Sequence, residues 1–202
     1  QFRNYTGLPF SGDPVIADAQ DGLTFNNANM GTPPDGFSPR MNVGLSLATI
    51  PARDLSFDNA IILHEFFHGV TNRLTGGPQN AFALINTQSG GMGEGWSDWF
   101  AMLMTLKPTD NRNTPLITGG FSFPPDGGRR SPYSFNMTVN PRTLRDFRVL
   151  ADPQNGFPGF EPHNAGEIWR SALMDMTWLL IEKYGFSSDL YNGNRGNNFA
   201  MQ

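Results

Sequence analysis

The stretch His64-Glu65-Phe66-Phe67-His68 carries the pattern H-E-x-x-H inside an apolar run. Asp58-Asn59-Ala60-Ile61-Ile62-Leu63 precedes it, a capping residue followed by residues that pack well on a helix. The spacing predicts a helix over 58–74, ended by Thr75-Gly76-Gly77-Pro78. On a helix, residues four apart share a face. His64 and His68 can therefore aim their imidazole nitrogens at one metal ion. Glu65 projects beside them, placed to act on a metal-bound water rather than on the metal. The competing reading of the pentapeptide is a helix with two ordinary histidines and a Glu65 that serves only in a salt bridge.

The next informative stretch is Gly90-Gly91-Met92-Gly93-Glu94-Gly95-Trp96-Ser97-Asp98-Trp99. It holds E-x-x-x-D at helical spacing, and its glycine run reads as the opening of a second helix that continues to about Lys107, before Pro108. Glu94 is a candidate third ligand. Asp98 lies one turn on, where it can accept the proton of the far nitrogen of a ligating histidine, a partner that such histidines nearly always have. Two His and one Glu leave one zinc position open, the property that separates catalytic from structural zinc. The expected metal content is one Zn2+ per chain. Zinc brings the pKa of a bound water towards about 7. Glu65 would then act as general base, taking the water's proton and delivering it to a leaving nitrogen.

Bulk properties narrow the field. The chain has 202 residues, 38% hydrophobic and 16% charged, with 23 Gly and 16 Pro, a loop-rich globular composition with enough length for one core. A net charge of -4 offers no electrostatic footprint for nucleic acid or for an anionic membrane surface. No apolar run approaches the roughly 18 residues of a membrane span. The absence of cysteine removes disulfides, thiol nucleophiles and Cys-ligated zinc, and leaves the compartment open. Gln1-Phe2-Arg3-Asn4 reads as a mature or trimmed start, and N-x-S/T sequons stand at Asn4 and Asn136.

Along the chain, residues 1–22 read as loop and Leu23 to Ala28 as a short strand. Met41, Val43, Leu45 and Leu47 alternate with polar or small residues, the period of a half-buried strand. Residues 108–162 are mostly irregular, longer than an ordinary connection, and read as cleft wall and surface cover. A third helix is expected from an Asn164 cap to Tyr184-Gly185, with Ile168, Trp169, Ala172, Leu173, Met176, Leu179 and Leu180 as its core stripe. A further helix opens at Phe199.

Taken together, H-E-x-x-H-G at 64–69, N-R-L-T-G-G at 72–77 and S-G-G-M-G-E-G-W-S-D at 89–98 resemble the fungalysin family of secreted zinc endopeptidases, relatives of thermolysin. Asn26-Asn27-Ala28-Asn29, Thr32-Pro33-Pro34-Asp35-Gly36, Arg40-Met41, Pro132-Tyr133-Ser134, Asn136 to Pro141 and His163-x-x-Gly166-Glu167-x-Trp169 are similar to fungalysin blocks in the same order. The resemblance implies an α+β fold. It would be a thermolysin-like zinc peptidase catalytic core, with a small edge sheet and an active-site helix packed against a mainly helical half. Residues 1–57 would form the β-rich substrate-edge segment and 58–202 the zinc-binding, mainly helical segment, in one domain truncated at both ends.

The resemblance also implies roles. His163 would donate a hydrogen bond to the oxyanion, with Glu161 or Glu167 offsetting a charged imidazolium at a helix start. Asn27 and Ala28 would belong to an edge strand that pairs with an extended peptide. Ile61, with Leu55, would line an apolar pocket. Arg130, or its neighbour Arg129, would meet a substrate carbonyl, and Tyr133 would add an oxyanion donor. Polypeptide substrates, the rest of the catalytic domain and an inhibitory propeptide would be its partners, and the location extracellular. Ile85 departs from thermolysin, which has a tyrosine near that position. Gln88 stands where relatives often have Glu, so the sequence gives no support for a carboxylate-bound calcium. The competing class is a catalytically inactive zinc-binding fragment of such a peptidase. An aminopeptidase finds no site for a free amino terminus.

Overall fold

The computed structural model describes residues 13–77, 79–147 and 161–202. Their elements are β1 (Ile16–Ala19), β2 (Ala28–Gly31), β3 (Arg40–Val43), β4 (Leu45–Ser46), β5 (Arg53–Asp54), α1 (Asn59–Gly76), α2 (Thr87–Thr105), α3 (Pro162–Tyr184) and α4 (Gly196–Ala200). Short strands come first and helices follow, an α+β arrangement.

The alternation around Met41 and Val43 does produce a strand. β3 is the centre of a three-stranded sheet, parallel to β1 and antiparallel to β2, with Ala28 opposite Val43 and Gly31 opposite Arg40. The expected single strand through Leu47 breaks at Gly44, however. A Cβ at Gly44 would fall on the Thr24 carbonyl, so the chain passes there only as glycine. Beyond it β4 turns away to pair with β5, and Leu47 is exposed. The strand expected at Leu23 to Ala28 lies later, at Ala28–Gly31. Asp21 explains the delay, because its carboxylate accepts from the Leu23 amide and the Thr24 hydroxyl and curls the chain into a turn. β1 falls in the expected loop. Its side chains are mostly exposed, so it is held by pairing with β3 and leaves no hydrophobic alternation to read.

The sheet meets α1 through one core cluster. Ala28, Met41, Val43 and Leu55 are buried there, with Ile61, Ile62 and Phe123 packed against them. Asp58 starts α1, accepting the Ala60 amide at 3.1 Å on one carboxylate oxygen. Its other oxygen accepts the Ser122 amide at 2.9 Å, which ties the irregular segment to the helix start.

α2 begins at Thr87 and runs through the glycines that the sequence assigns to its opening. Those glycines serve the crossing with α3. A Cβ on Gly95 would stand 2.7 Å from the Gly166 carbonyl oxygen, and one on Gly166 would stand 2.8 Å from the Glu94 Cβ. Each glycine inside a helix costs about 1 kcal/mol against alanine, and the close packing of two backbones offsets it.

α3 is capped by Glu161, whose carboxylate accepts the Asn164 amide at 2.7 Å, with Pro162 in the first turn. Asn164 is therefore inside the helix rather than its cap. The expected core stripe is met only in part: Leu173 and Leu180 pack against the helical core, but Met176 and Leu179 do not. Leu179 is 57% and Met176 41% exposed, and the buried face is Glu167, Arg170, Met174, Thr177, Trp178 and Ile181. Met174, Trp178 and Ile181 join Trp99, Met102, Leu103, Tyr133 and Ala200 in the second core cluster. Trp99 donates its indole N–H to the Thr177 hydroxyl at 2.9 Å within it. α4 starts at Gly196, three residues before the expected Phe199, and Ala200 closes the cluster.

Candidate metal centre and cleft

α1 and α2 pack side by side and present one polar cluster. His64 Nε2 lies 3.0 Å from His68 Nε2 and 3.1 Å from Glu94 Oε2, and His68 Nε2 lies 3.5 Å from Glu94 Oε1. One ligand atom from each of the three residues falls within 4.8 Å of the others. His64 Nδ1 is 2.8 Å from Asp98 Oδ1. Asp98 is ionised, so Nδ1 carries the donated proton and Nε2 of the neutral ring is a bare lone pair.

Asp98 sits at the bottom of this cluster, 1% exposed. Arg129 grips it with two bonds, Nε to Oδ2 at 2.7 Å and Nη2 to Oδ1 at 2.8 Å. Arg170 Nη1 stands 3.5 Å from Oδ2. Burial alone would raise the Asp98 carboxyl. The Arg129 charge, the His64 bond and Arg170 outweigh it and hold the group well below the usual carboxylate range. Burial alone would likewise lower His64. Asp98 and Glu94 outweigh it and, with no metal bound, push the imidazole up to about 9. Glu94, which burial would raise, is held low chiefly by His64 and His68.

These residues fit a zinc ion. Two imidazole nitrogens, acceptors once the rings are neutral, converge with a carboxylate, and Glu94 Oε2 is buried without a hydrogen bond of good geometry. Such a set is costly unless a cation shares it. Two nitrogens and one oxygen are the donor chemistry of a three-ligand zinc site.

The cluster opens on a cleft of about 490 Å³ lined by Asn27, Ala28, Ile61, Glu65, Arg129, Arg130 and His163, among others. Glu65 is buried beside His64 and lines the cleft with it. His163, in the first turn of α3, has Nδ1 2.6 Å from Glu161 Oε1 and Nε2 3.2 Å from Glu94 Oε2. Of the two carboxylates expected to serve His163, Glu161 does so. Glu167 points elsewhere and accepts the Arg130 amide at 2.8 Å. Among the described residues β2 is an edge strand, paired with β3 on one side only.

Tyr133 requires a correction. It is 0% exposed, packed in the helical core, and its hydroxyl donates to Asp175 at 2.8 Å. Antiparallel bonds between Leu116 and Tyr133 fix its backbone with the ring turned inward, so it packs in the core rather than lining the cleft. Of the adjacent arginines, Arg129 is bound to Asp98, while the Arg130 guanidinium makes no hydrogen bond or ion pair with any described residue. The sequence reading left Phe123 and Thr118 unassigned. Both line the cleft, and only their place in the long irregular segment hinted at it.

Comparison with known proteins gives the family. A family model described as fungalysin metallopeptidase (M36) matches residues 1–202. The chain belongs to the fungalysin family. Its relatives include extracellular metalloproteinase 4 of Trichophyton soudanense, 44% identical over 186 residues, which are 92% of this chain and 45% of the relative. Extracellular metalloproteinase 5 of Trichophyton tonsurans is 45% identical over 174 residues, 86% of this chain and 27% of the relative. Extracellular metalloproteinase 2 of Phaeosphaeria nodorum is 44% identical over 178 residues, 86% of this chain and 26% of the relative. This fungalysin chain thus spans less than half the length of these relatives.

Proposed function

We propose that this chain is the zinc-binding and substrate-binding part of a secreted fungalysin endopeptidase with a thermolysin-like core. The observation that carries the reading is the convergence of His64, His68 and Glu94 beside Glu65, in a cleft bordered by an edge strand. Residues 1–57 and 58–202 contribute to a single catalytic domain, completed by further polypeptide and held inactive before maturation by a propeptide.

His64, His68 and Glu94 hold one zinc ion, and Asp98 orients His64. When bound, zinc supplies Lewis acidity, polarising a peptide carbonyl and acidifying water. Glu65 accepts the proton that a water loses as it adds to the carbonyl carbon, then returns it to the amide nitrogen that leaves. His163 donates from Nε2 to the carbonyl oxygen as charge grows there, and Glu161 fixes the ring through Nδ1. The edge at Asn27 and Ala28 takes an extended polypeptide by strand addition, which demands little of its sequence. Arg130 meets a substrate carbonyl. Ile61, Leu55 and Phe123 form an apolar subsite that favours apolar side chains at about 25 cal/mol per Å² buried.

The test pairs zinc analysis with peptide cleavage, before and after chelation, in the protein and in Glu65→Gln. Cleavage should vanish on chelation and return with zinc. Glu65→Gln should keep zinc and fold while losing about 10²–10⁴-fold in rate. Stoichiometric zinc with no cleavage by the parent protein would establish the alternative, an inactive zinc-binding fragment.

A further inference from the structure

Two ionisable side chains of α3 are fully buried and have no role in the catalytic steps above. Glu167 and Arg170 are each 0% exposed and lie three residues apart on one face. Both reach the same piece of cleft wall. Glu167 Oε1 accepts the Arg130 amide at 2.8 Å, and Arg170 Nη2 donates to the Ser131 carbonyl at 3.2 Å. Between these anchors Arg129 reaches back to Asp98. Three consecutive residues are thus tied to α2 and α3, and Gly128, Arg129 and Arg130 line the cleft beside His163.

The Glu167 carboxylate faces the charges of Arg170, Arg142 and Arg129, yet it is not fully bonded. Burial raises the Glu167 carboxyl, its Oε2 is buried without a hydrogen bond, and the Arg142 Nε stands 3.9 Å off. An apolar side chain there would leave the buried Arg170 with less compensating charge and the Arg130 amide without its acceptor. What Glu167 provides is an acceptor at a fixed point of α3. That helix carries His163 one turn earlier, and at Gly166 it leaves no room for a side chain against Glu94 and Gly95. The helix cannot slide on α2, so anything bonded to it inherits the placement of His163 and Glu94.

We propose that Glu167 is a positioning residue: through the Arg130 amide it locks the cleft wall at 128–131 to the helix that presents His163. The inference rests on the peptidase reading. The lock on the Arg130 amide needs an acceptor oxygen, so glutamine should serve it where an apolar residue does not.

The experiment compares Glu167→Gln with Glu167→Leu, and with Glu167→Met should the leucine variant fail to fold. Amide hydrogen exchange in the metal-free protein is the first readout. Arg130 should be protected in the parent and in Glu167→Gln, and should exchange at least about tenfold faster in the apolar variant, with the α1 and α2 amides unchanged. Peptide cleavage is the second. The apolar variant should lose about 100-fold in kcat/KM, as a misplaced wall would cause, while zinc stoichiometry stays at one and Glu167→Gln remains within about threefold of the parent. Unaltered Arg130 exchange in the apolar variant would overturn the proposal. So would a glutamine variant as impaired as the apolar one, or a loss of activity that merely follows loss of zinc or of folded protein. A zinc-loaded parent that cleaves no peptide would sink the peptidase reading instead, and the exchange comparison would still decide the lock.

Discussion

Asp98→Asn is the most exacting perturbation of the metal centre, because one carboxylate serves three cationic or donor partners. It accepts from His64 and twice from Arg129, and Arg170 stands 3.5 Å away. The Arg170 side chain is 0% exposed and that of Arg129 12%, so neither can turn to water without moving its neighbours. An amide keeps one acceptor oxygen, but its NH2 must face a guanidinium or the His64 N–H. Removing one partner of a buried ion pair costs about 3–5 kcal/mol. For a chain of this size each kcal/mol moves the midpoint by about 2–4 °C, so the metal-free variant should melt roughly 6–20 °C below the parent. Zinc affinity should fall by about 10–100-fold, since the His64 tautomer is no longer fixed. Circular dichroism melts in chelator and zinc titrations against a competing chelator read the two effects separately. A midpoint within 2 °C of the parent (about 1 kcal/mol or less), or an unaltered zinc dissociation constant, would refute the reasoning.

Two further outcomes follow from the same site. With no metal bound, His64 is raised to about 9 from its ordinary 6.5, so its stabilising contribution to the metal-free protein is present below about pH 6.5 and fades as pH rises through about 9. Zinc must displace that proton, so apparent affinity should rise by nearly tenfold per pH unit across this window and level off above it; a flat profile in buffered zinc titrations would contradict the proton competition. Gly166→Ala would set a Cβ 2.9 Å from the Gly95 nitrogen and 2.8 Å from the Glu94 Cβ, so it should cost about 1–3 kcal/mol and weaken zinc binding. Gly22→Ala, with nothing within 4 Å, is the control that should leave both unchanged, and equal melting of the two variants would argue against a rigid crossing.

What could be read in the sequence was what helical geometry alone determines. H-E-x-x-H and E-x-x-x-D place side chains by an angle per residue, and the structure does bring His64, His68, Glu94 and Asp98 together. Reading failed where a residue's surroundings come from distant chain. The buried face of α3 carries Glu167, Arg170 and Thr177, polar residues whose partners lie at Arg130, Ser131 and Trp99, so the hydrophobic pattern caught Leu173 and Leu180 but otherwise pointed to an outer face. That outer face, with Ile168, Trp169 and Ala172, lines an apolar groove instead. Tyr133 went astray for a related reason, since a tyrosine in a polar loop gives no sign of the Asp175 that draws it inward. The glycines of α2 mark a crossing that exists only once α3 is in place.

The double use of Asp58 has a consequence for how such a protein can diversify. The same carboxylate that begins the ligand helix also secures the loop bearing Thr118 and Phe123, the residues that shape the apolar end of the cleft. The residues proposed to recognise substrate and those proposed to act on it are therefore fastened at one point yet written in separate stretches of chain. A transplanted loop with another side chain at position 123 could reshape preference without disturbing the ligands, provided it still offers a backbone N–H at position 122. A proline there would remove the only feature of that residue on which the junction depends.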